Sequence, residues 1–183
     1  PMQLTPPPMT VLYKGRPDDP RFGDWVLTER VAPLTDNLVT VIGCPDDTGV
    51  LLNQGRAGAK NGPDSIRRHF YKMAMPMDGS IADRMALWDA GNIRPGRDIF
   101  ETQRLVQQAI KTVCKDSTLV FLGGGHDFAA PVFLGAHEGL GKTLGILNVD
   151  PHLDLRPLED GKPNSGTPFR QLLESETLTG KNY

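Results

Sequence analysis

The chain has 183 residues, with 20 Lys and Arg against 22 Asp and Glu and a formal net charge of −2. That length fits one domain, and the near balance of charge leaves neither a basic footprint for nucleic acid nor a polybasic patch for a membrane surface. No apolar run reaches the ~18–20 residues of a membrane span, no secretory signal is expected because no basic start is followed by an apolar core, and two cysteines, Cys44 and Cys114, make no disulfide framework. A cytoplasmic chain with two reduced, buried thiols is expected.

In chain order, residues 1–35 are expected as an N-terminal extension, partly disordered, because 1–8 is proline-rich. Residues 36–183 are expected as an α/β domain. The apolar run over 38–42 predicts a strand, followed by a loop opened by Asp46 and Asp47 and running to Gly62. Pro63 suits the first position of a helix, where its missing N–H costs nothing, and Asp64 adds a favourable charge to that first turn. This helix should reach about Lys72. Residues 85–90 read as a second strand, ended by Gly91 and Asn92. Ile99, Leu105, Val106, Ala109, Ile110 and Val113 recur at helical spacing, which predicts a helix over 98–113. A third strand over 117–122, a helix over 128–137, a strand over 143–149 buried on both faces, and a helix over 168–174 complete the reading. The β–α alternation predicts a doubly wound, mostly parallel sheet with helices on both faces.

Two stretches carry the chemistry: Gly123-Gly124-Gly125-His126-Asp127 and Asn148-Val149-Asp150-Pro151-His152-Leu153-Asp154. Each follows an apolar run. In extended backbone, Asp150, His152 and Asp154 at period two point the same way, off the carboxyl end of a strand, where open α/β sheets bind ligands. Carboxylates with some imidazole suit Mn²⁺ and, less selectively, Fe²⁺, Co²⁺ or Zn²⁺. A metal pair about 3.5–4 Å apart needs a bridging carboxylate and activates a shared water. The competing reading is a set of solvated loop carboxylates and a helix-capping histidine; two such stretches weigh against it.

These stretches resemble the ureohydrolase family of arginases, agmatinases and formimidoylglutamases. The family's Gly-Gly-Gly-His stretch is matched at 123–127, and its Asp-Ala-His-x-Asp stretch at 150–154, with Pro151 in place of Ala. Residues 53–67 resemble its glycine-rich loop and following helix. The family's later Ser-x-Asp-x-Asp stretch is not found in the chain. The expectation is therefore an amino-terminal part of an arginase-like three-layer αβα domain, with little hydrolase activity alone. Gly125 before His126, Arg156 and Ser165 favour the formimidoylglutamase group, as does the opening from Leu12 to Trp25.

The resemblance implies hydrolysis of N-formimidoyl-L-glutamate to L-glutamate and formamide, in histidine breakdown, with two Mn²⁺ per complete site. It implies His126, Asp150, His152 and Asp154 as metal ligands, with Asp150 bridging and Asp154 also orienting the activated water. Arg156 and Ser165 would bind the glutamate end. A small-molecule substrate follows, and a homo-oligomer is allowed. Asp127 has two readings, support of His126 or a cap on the next helix. Asn53 and Arg56 either line the site or shape their loop. His69 and His137 read as packing or surface residues. The alternatives are an agmatinase- or arginase-like amidinohydrolase and, of another class, a short, non-catalytic metal-binding or interaction module that binds metal weakly or not at all.

Overall fold

The structure, a computed structural model, describes residues 4–30, 37–76 and 78–183. The elements are β1 (Leu4–Thr5), α1 (Phe22–Trp25), β2 (Leu38–Gly43), α2 (Thr48–Leu52), α3 (Gly62–Phe70), β3 (Ala86–Ile93), α4 (Ile99–Val113), β4 (Thr118–Leu122), α5 (Ala129–Leu140) and α6 (Pro168–Glu174), with short 3-10 turns between some of them. The sheet order is β1-β3-β2-β4. β2 runs parallel to both β3 and β4, and only the two-residue β1 is antiparallel.

Alternation along the strands divides the core. Ile42, Trp88 and Ala90 meet Val106, Ile110, Val113 and Phe128 on the side of α4 and α5. Val41, Leu87 and Leu122 point the other way, to Tyr71 after α3 and to Val11, Leu12 and Val26. The result is a sheet with helices on both faces, as expected. The described part of the N-terminal segment is not a loose extension. Val11 is 1% exposed, and Leu4 and Thr5 pair with Ile93 and Asn92.

That pairing also lengthens β3 past its expected end. Gly91, at φ 78°, lies where an added Cβ would sit 2.0 Å from the Thr5 carbonyl oxygen, so the glycine admits β1 instead of stopping β3. The expected loop after Asp46 contains α2 and a 3-10 turn over Ala59–Asn61. α3 begins one residue before Pro63. Asp98 is the cap of α4, accepting a hydrogen bond from the Glu101 N–H at 2.8 Å, a contact worth about 1 kcal/mol. α6 occupies its expected span.

A buried polar network joins α3 to β3. Arg67 donates through Nε and Nη2 to the two oxygens of Asp89 at 2.8 and 2.9 Å. Its other bonds reach Asn92 Oδ1 (2.6 Å), the Gly91 carbonyl (2.9 Å) and Asp64 (3.3 Å). All five guanidinium donors are thus used. The Tyr71 hydroxyl also donates to Asp89, and burial followed by the Asp89 charge pushes the phenol far above its usual range.

The largest departure is at 143–149, where no strand forms. Leu144 and Ile146 pack with Phe133, Phe169, Leu172 and Leu178, but Leu147 and Val149 are 89% and 90% exposed. Only one side of this run is covered. Its backbone is held by a turn, not a strand: the Ile146 N–H donates to the Asn182 carbonyl at 2.8 Å, and Asn182 Nδ2 donates to the Leu144 carbonyl. Among the described residues, β4 likewise pairs with β2 alone. Apolar cavities of about 260 and 380 Å³ flank β4, one reaching Val39, Val41 and Phe70, the other Phe121, Phe128 and Val132.

Candidate metal centre

His126 stands at the end of the β4 strand path. Backbone bonds carry the β2–β4 pairing onward past the strands: Cys44 N–H to the Leu122 carbonyl, Gly124 N–H to the Cys44 carbonyl, and Gly125 N–H to the Asp46 carbonyl. The chain passes so close here that a Cβ on Gly124 would lie 1.8 Å from the Asp46 carbonyl oxygen. His126 then opens a 3-10 turn, His126–Phe128, that leads into α5. The ring of Phe169 on α6 meets the imidazole edge-on at 5.6 Å.

The second stretch reaches His126 by a turn. Asp150 Oδ1 accepts from the His152 backbone N–H at 2.7 Å, a local side-chain turn. That bond is the first cause holding the Asp150 carboxyl below its usual range. Asp154 has φ 50°, a left-handed conformation that costs an L residue about 1–2 kcal/mol. The expected extended alternation over 150–154 is therefore absent, because the segment has no neighbouring strand to keep it straight.

Three of the four expected ligands come together. His126 Nδ1 lies 3.0 Å from Asp154 Oδ2 and 4.0 Å from Asp150 Oδ2. One donor atom from each of the three fits within 4.8 Å of the others. His152 stays outside this group; its Nδ1 contacts Asp150 Oδ1 at 3.0 Å, and its side chain is 79% exposed. Asp154 Oδ2 is buried and lacks a hydrogen bond of ordinary geometry despite the nearby imidazole. A buried carboxylate oxygen without a donor, beside a second carboxylate and a ring nitrogen, is a donor set that suits a divalent cation.

The three groups open into a cavity of about 590 Å³ that also contains His152, Arg156, Ser165, Gly166 and Asn53. Arg156 N–H donates to the Gly166 carbonyl, and Ser165 N–H to the Gly49 carbonyl, both at 3.0 Å, so two distant segments and α2 form one wall. Arg156 and Ser165 therefore share the mouth that their positions predicted. Asn53 belongs with them. Sequence reasoning left it open between loop and site, and its partners lie 103 and 112 residues away, beyond any local pattern. Arg56 is exposed and outside this wall.

Asp127 does not cap α5, which has no side-chain cap. It is 1% exposed; burial, followed by the Asp46 charge, pushes its carboxyl up to about 6, with Gln103 beside it opposing the rise. His137 stacks on Phe133, and His69 is exposed on α3. A cavity of similar size, about 570 Å³, lies between the end of β3 and α4; of its two arginines, Arg97 is bonded to Glu101. It holds no cluster of ligand-type side chains.

Comparisons with known proteins bear on the family and the fold. The family model for the arginase family matches residues 37–183. Formimidoylglutamase of Streptococcus pyogenes serotype M49 (strain NZ131) is 34% identical over 182 residues, covering 92% of this chain and 54% of that protein. The crystal structure of Trypanosoma cruzi formiminoglutamase with Mn²⁺ aligns with a TM-score of 0.78 at 35% identity, over 90% of this chain and 56% of that one. Formimidoylglutamase from Bacillus subtilis, at 21% identity and a TM-score of 0.75, shares the fold. The chain spans about half the length of the curated relatives it matches. By the extent of the family match and of this shared sequence, the chain belongs to the arginase family.

Proposed function

We propose that the complete protein in which these residues occur hydrolyses N-formimidoyl-L-glutamate to L-glutamate and formamide, a step of histidine breakdown. One observation carries the reading. A single cavity is lined both by the carboxylate and imidazole acceptors of His126, Asp150 and Asp154 and by the Arg156 and Ser165 donors.

His126, Asp150 and Asp154 would hold Mn²⁺, with His152 joining them by turning its ring inward. When bound, the cation lowers the pKa of coordinated water toward neutrality and makes a nucleophile available. Asp154, the better buried of the two grouped carboxylates, would orient that water toward the amidine carbon. Arg156 and Ser165 would fix the substrate's acid end, so that the amidine lies against the acceptor groups. Support comes from the formimidoylglutamase relatives at 34–35% identity.

The test is formamide release from formimidoylglutamate by the complete protein with Mn²⁺. Turnover of order ~10 s⁻¹ is expected, with His126→Ala and Asp150→Asn each lowering it by about 100-fold or more, the scale of loss when catalytic electrostatics are removed. Absence of formamide, or faster turnover of arginine or agmatine, refutes the proposal. The second reading, a metal-binding module without turnover, is favoured by the position of His152 outside the ligand group. It predicts Mn²⁺ binding without hydrolysis of any of these amidines.

A further inference from the structure

We infer that Asn53 is a positioning residue that makes the Arg156–Ser165 wall a carboxylate-specific subsite; this rests on, and deepens, the substrate reading above. The three side chains form a chain of hydrogen bonds. Arg156 Nη1 donates to Asn53 Oδ1 at 3.1 Å, and Asn53 Nδ2 donates to Ser165 Oγ at 3.0 Å. The opposite amide orientation would set the Asn53 NH₂ against the guanidinium, donor facing donor, so the Arg156 contact fixes which way Asn53 points.

That orientation dictates the chemistry of its neighbours. Ser165 Oγ accepts from Asn53, which leaves the hydroxyl proton free to donate into the cavity. Arg156 gives one N–H to Asn53 and keeps the remaining donors of its fork. The wall therefore presents the guanidinium fork and the Ser165 hydroxyl proton as donors, and a carboxylate is the complementary group. In the same cavity, His126, Asp150 and Asp154 offer acceptors. A ligand is thereby turned acid end toward Arg156 before any chemistry begins.

Arg156 is otherwise an exposed side chain whose immobilisation costs conformational entropy. Asn53 meets part of that cost in the free protein, which is preorganisation. The backbone supports the arrangement. Asn53 closes α2 with its N–H on the Gly49 carbonyl, the same carbonyl that holds Ser165 N–H. Gly166 leaves the necessary room, since a Cβ there would lie 3.1 Å from Arg156 Cδ and 3.3 Å from Asn53 Nδ2.

Asn53→Asp keeps the shape and replaces the NH₂ donor with a second acceptor. The aspartate would accept from both neighbours, drawing the Ser165 proton inward and neutralising Arg156. Asn53→Ala removes both bonds. Binding of L-glutamate and of its neutral diamide is measured by calorimetry on the complete protein, beside KM and kcat for formimidoylglutamate. Both variants should weaken L-glutamate binding by about tenfold or more and leave the diamide unchanged. They should raise KM by a similar factor while kcat falls less than about threefold.

Equal glutamate affinity in wild type and both variants overturns the inference. So does a kcat loss with KM unchanged, or a wild-type protein that binds the diamide as well as glutamate. Failure of the hydrolysis reading looks different: wild type releases no formamide, yet its glutamate binding still depends on Asn53.

Discussion

Arg67 is 1% exposed and Asp89 is 0% exposed, which makes their pairing a test of how buried charge is tolerated. With five bonds from the guanidinium, the pair is satisfied, and its value lies in what happens when one member is removed. Arg67→Met should cost about 3–5 kcal/mol, because Asp89 is left as an uncompensated buried charge. Urea unfolding followed by circular dichroism checks this. The double variant Arg67→Met with Asp89→Leu should recover much of the loss; a cost below about 1 kcal/mol for the single change would refute the account. At this scale the sequence is partly legible. His126, Asp150 and Asp154 stand out because ligand residue types cluster after apolar runs. Arg67 and Asn53 do not, because their partners are brought in by the fold, and nothing adjacent to either marks it as buried or bridging.

Among the elements, α4 and α6 are read well because their signals are local: a cap, a helical period, a proline at the start. The run at 143–149 has an apolar composition as persuasive as that of β2. A strand is a pairing, however, and pairing is not written in the strand's own residues. The described neighbours cover Leu144 and Ile146 and leave Leu147 and Val149 open, so composition predicts burial that the packing does not supply. β4 shows the same problem from its other side. Among the described residues it presents an unpaired backbone edge and a half-open Val120, 41% exposed, between two cavities. Such an edge is a template for association. The 183-residue chain alone should form multimers at tens of micromolar, and Val120→Lys should reduce them. Light scattering after size exclusion measures this; no difference between the two chains would remove β4 as the contact.

Across the whole molecule, the candidate centre joins three parts: the end of β4 through His126, the 150–154 turn, and α6 through Phe169. A cation that binds only the folded form should therefore stabilise the chain. At about 100 times its Kd, Mn²⁺ should add roughly 2.7 kcal/mol, seen as an upward shift of Tm in thermal unfolding. His126→Ala should abolish the shift and EDTA should reverse it. An equal shift in wild type and His126→Ala would place the cation elsewhere. The layered α/β plan was legible from strand–helix alternation, whereas the antiparallel β1 and the packed segment around Val11 were hidden by a proline-rich opening that reads as unstructured.

Asn182 and Tyr183 reach back to the ligand-bearing segment from a distance in sequence. Asn182 bonds to both Leu144 and Ile146, and the Tyr183 hydroxyl donates to the Leu153 carbonyl at 2.7 Å. Tyr183 also packs against Phe169, whose ring in turn meets His126. Asn182 thus braces the run at 144–146, and Tyr183 braces the 150–154 turn. A disturbance at Tyr183 would be felt at Leu153 and, through Phe169, at His126, so the ligand geometry is guarded from outside its own cavity.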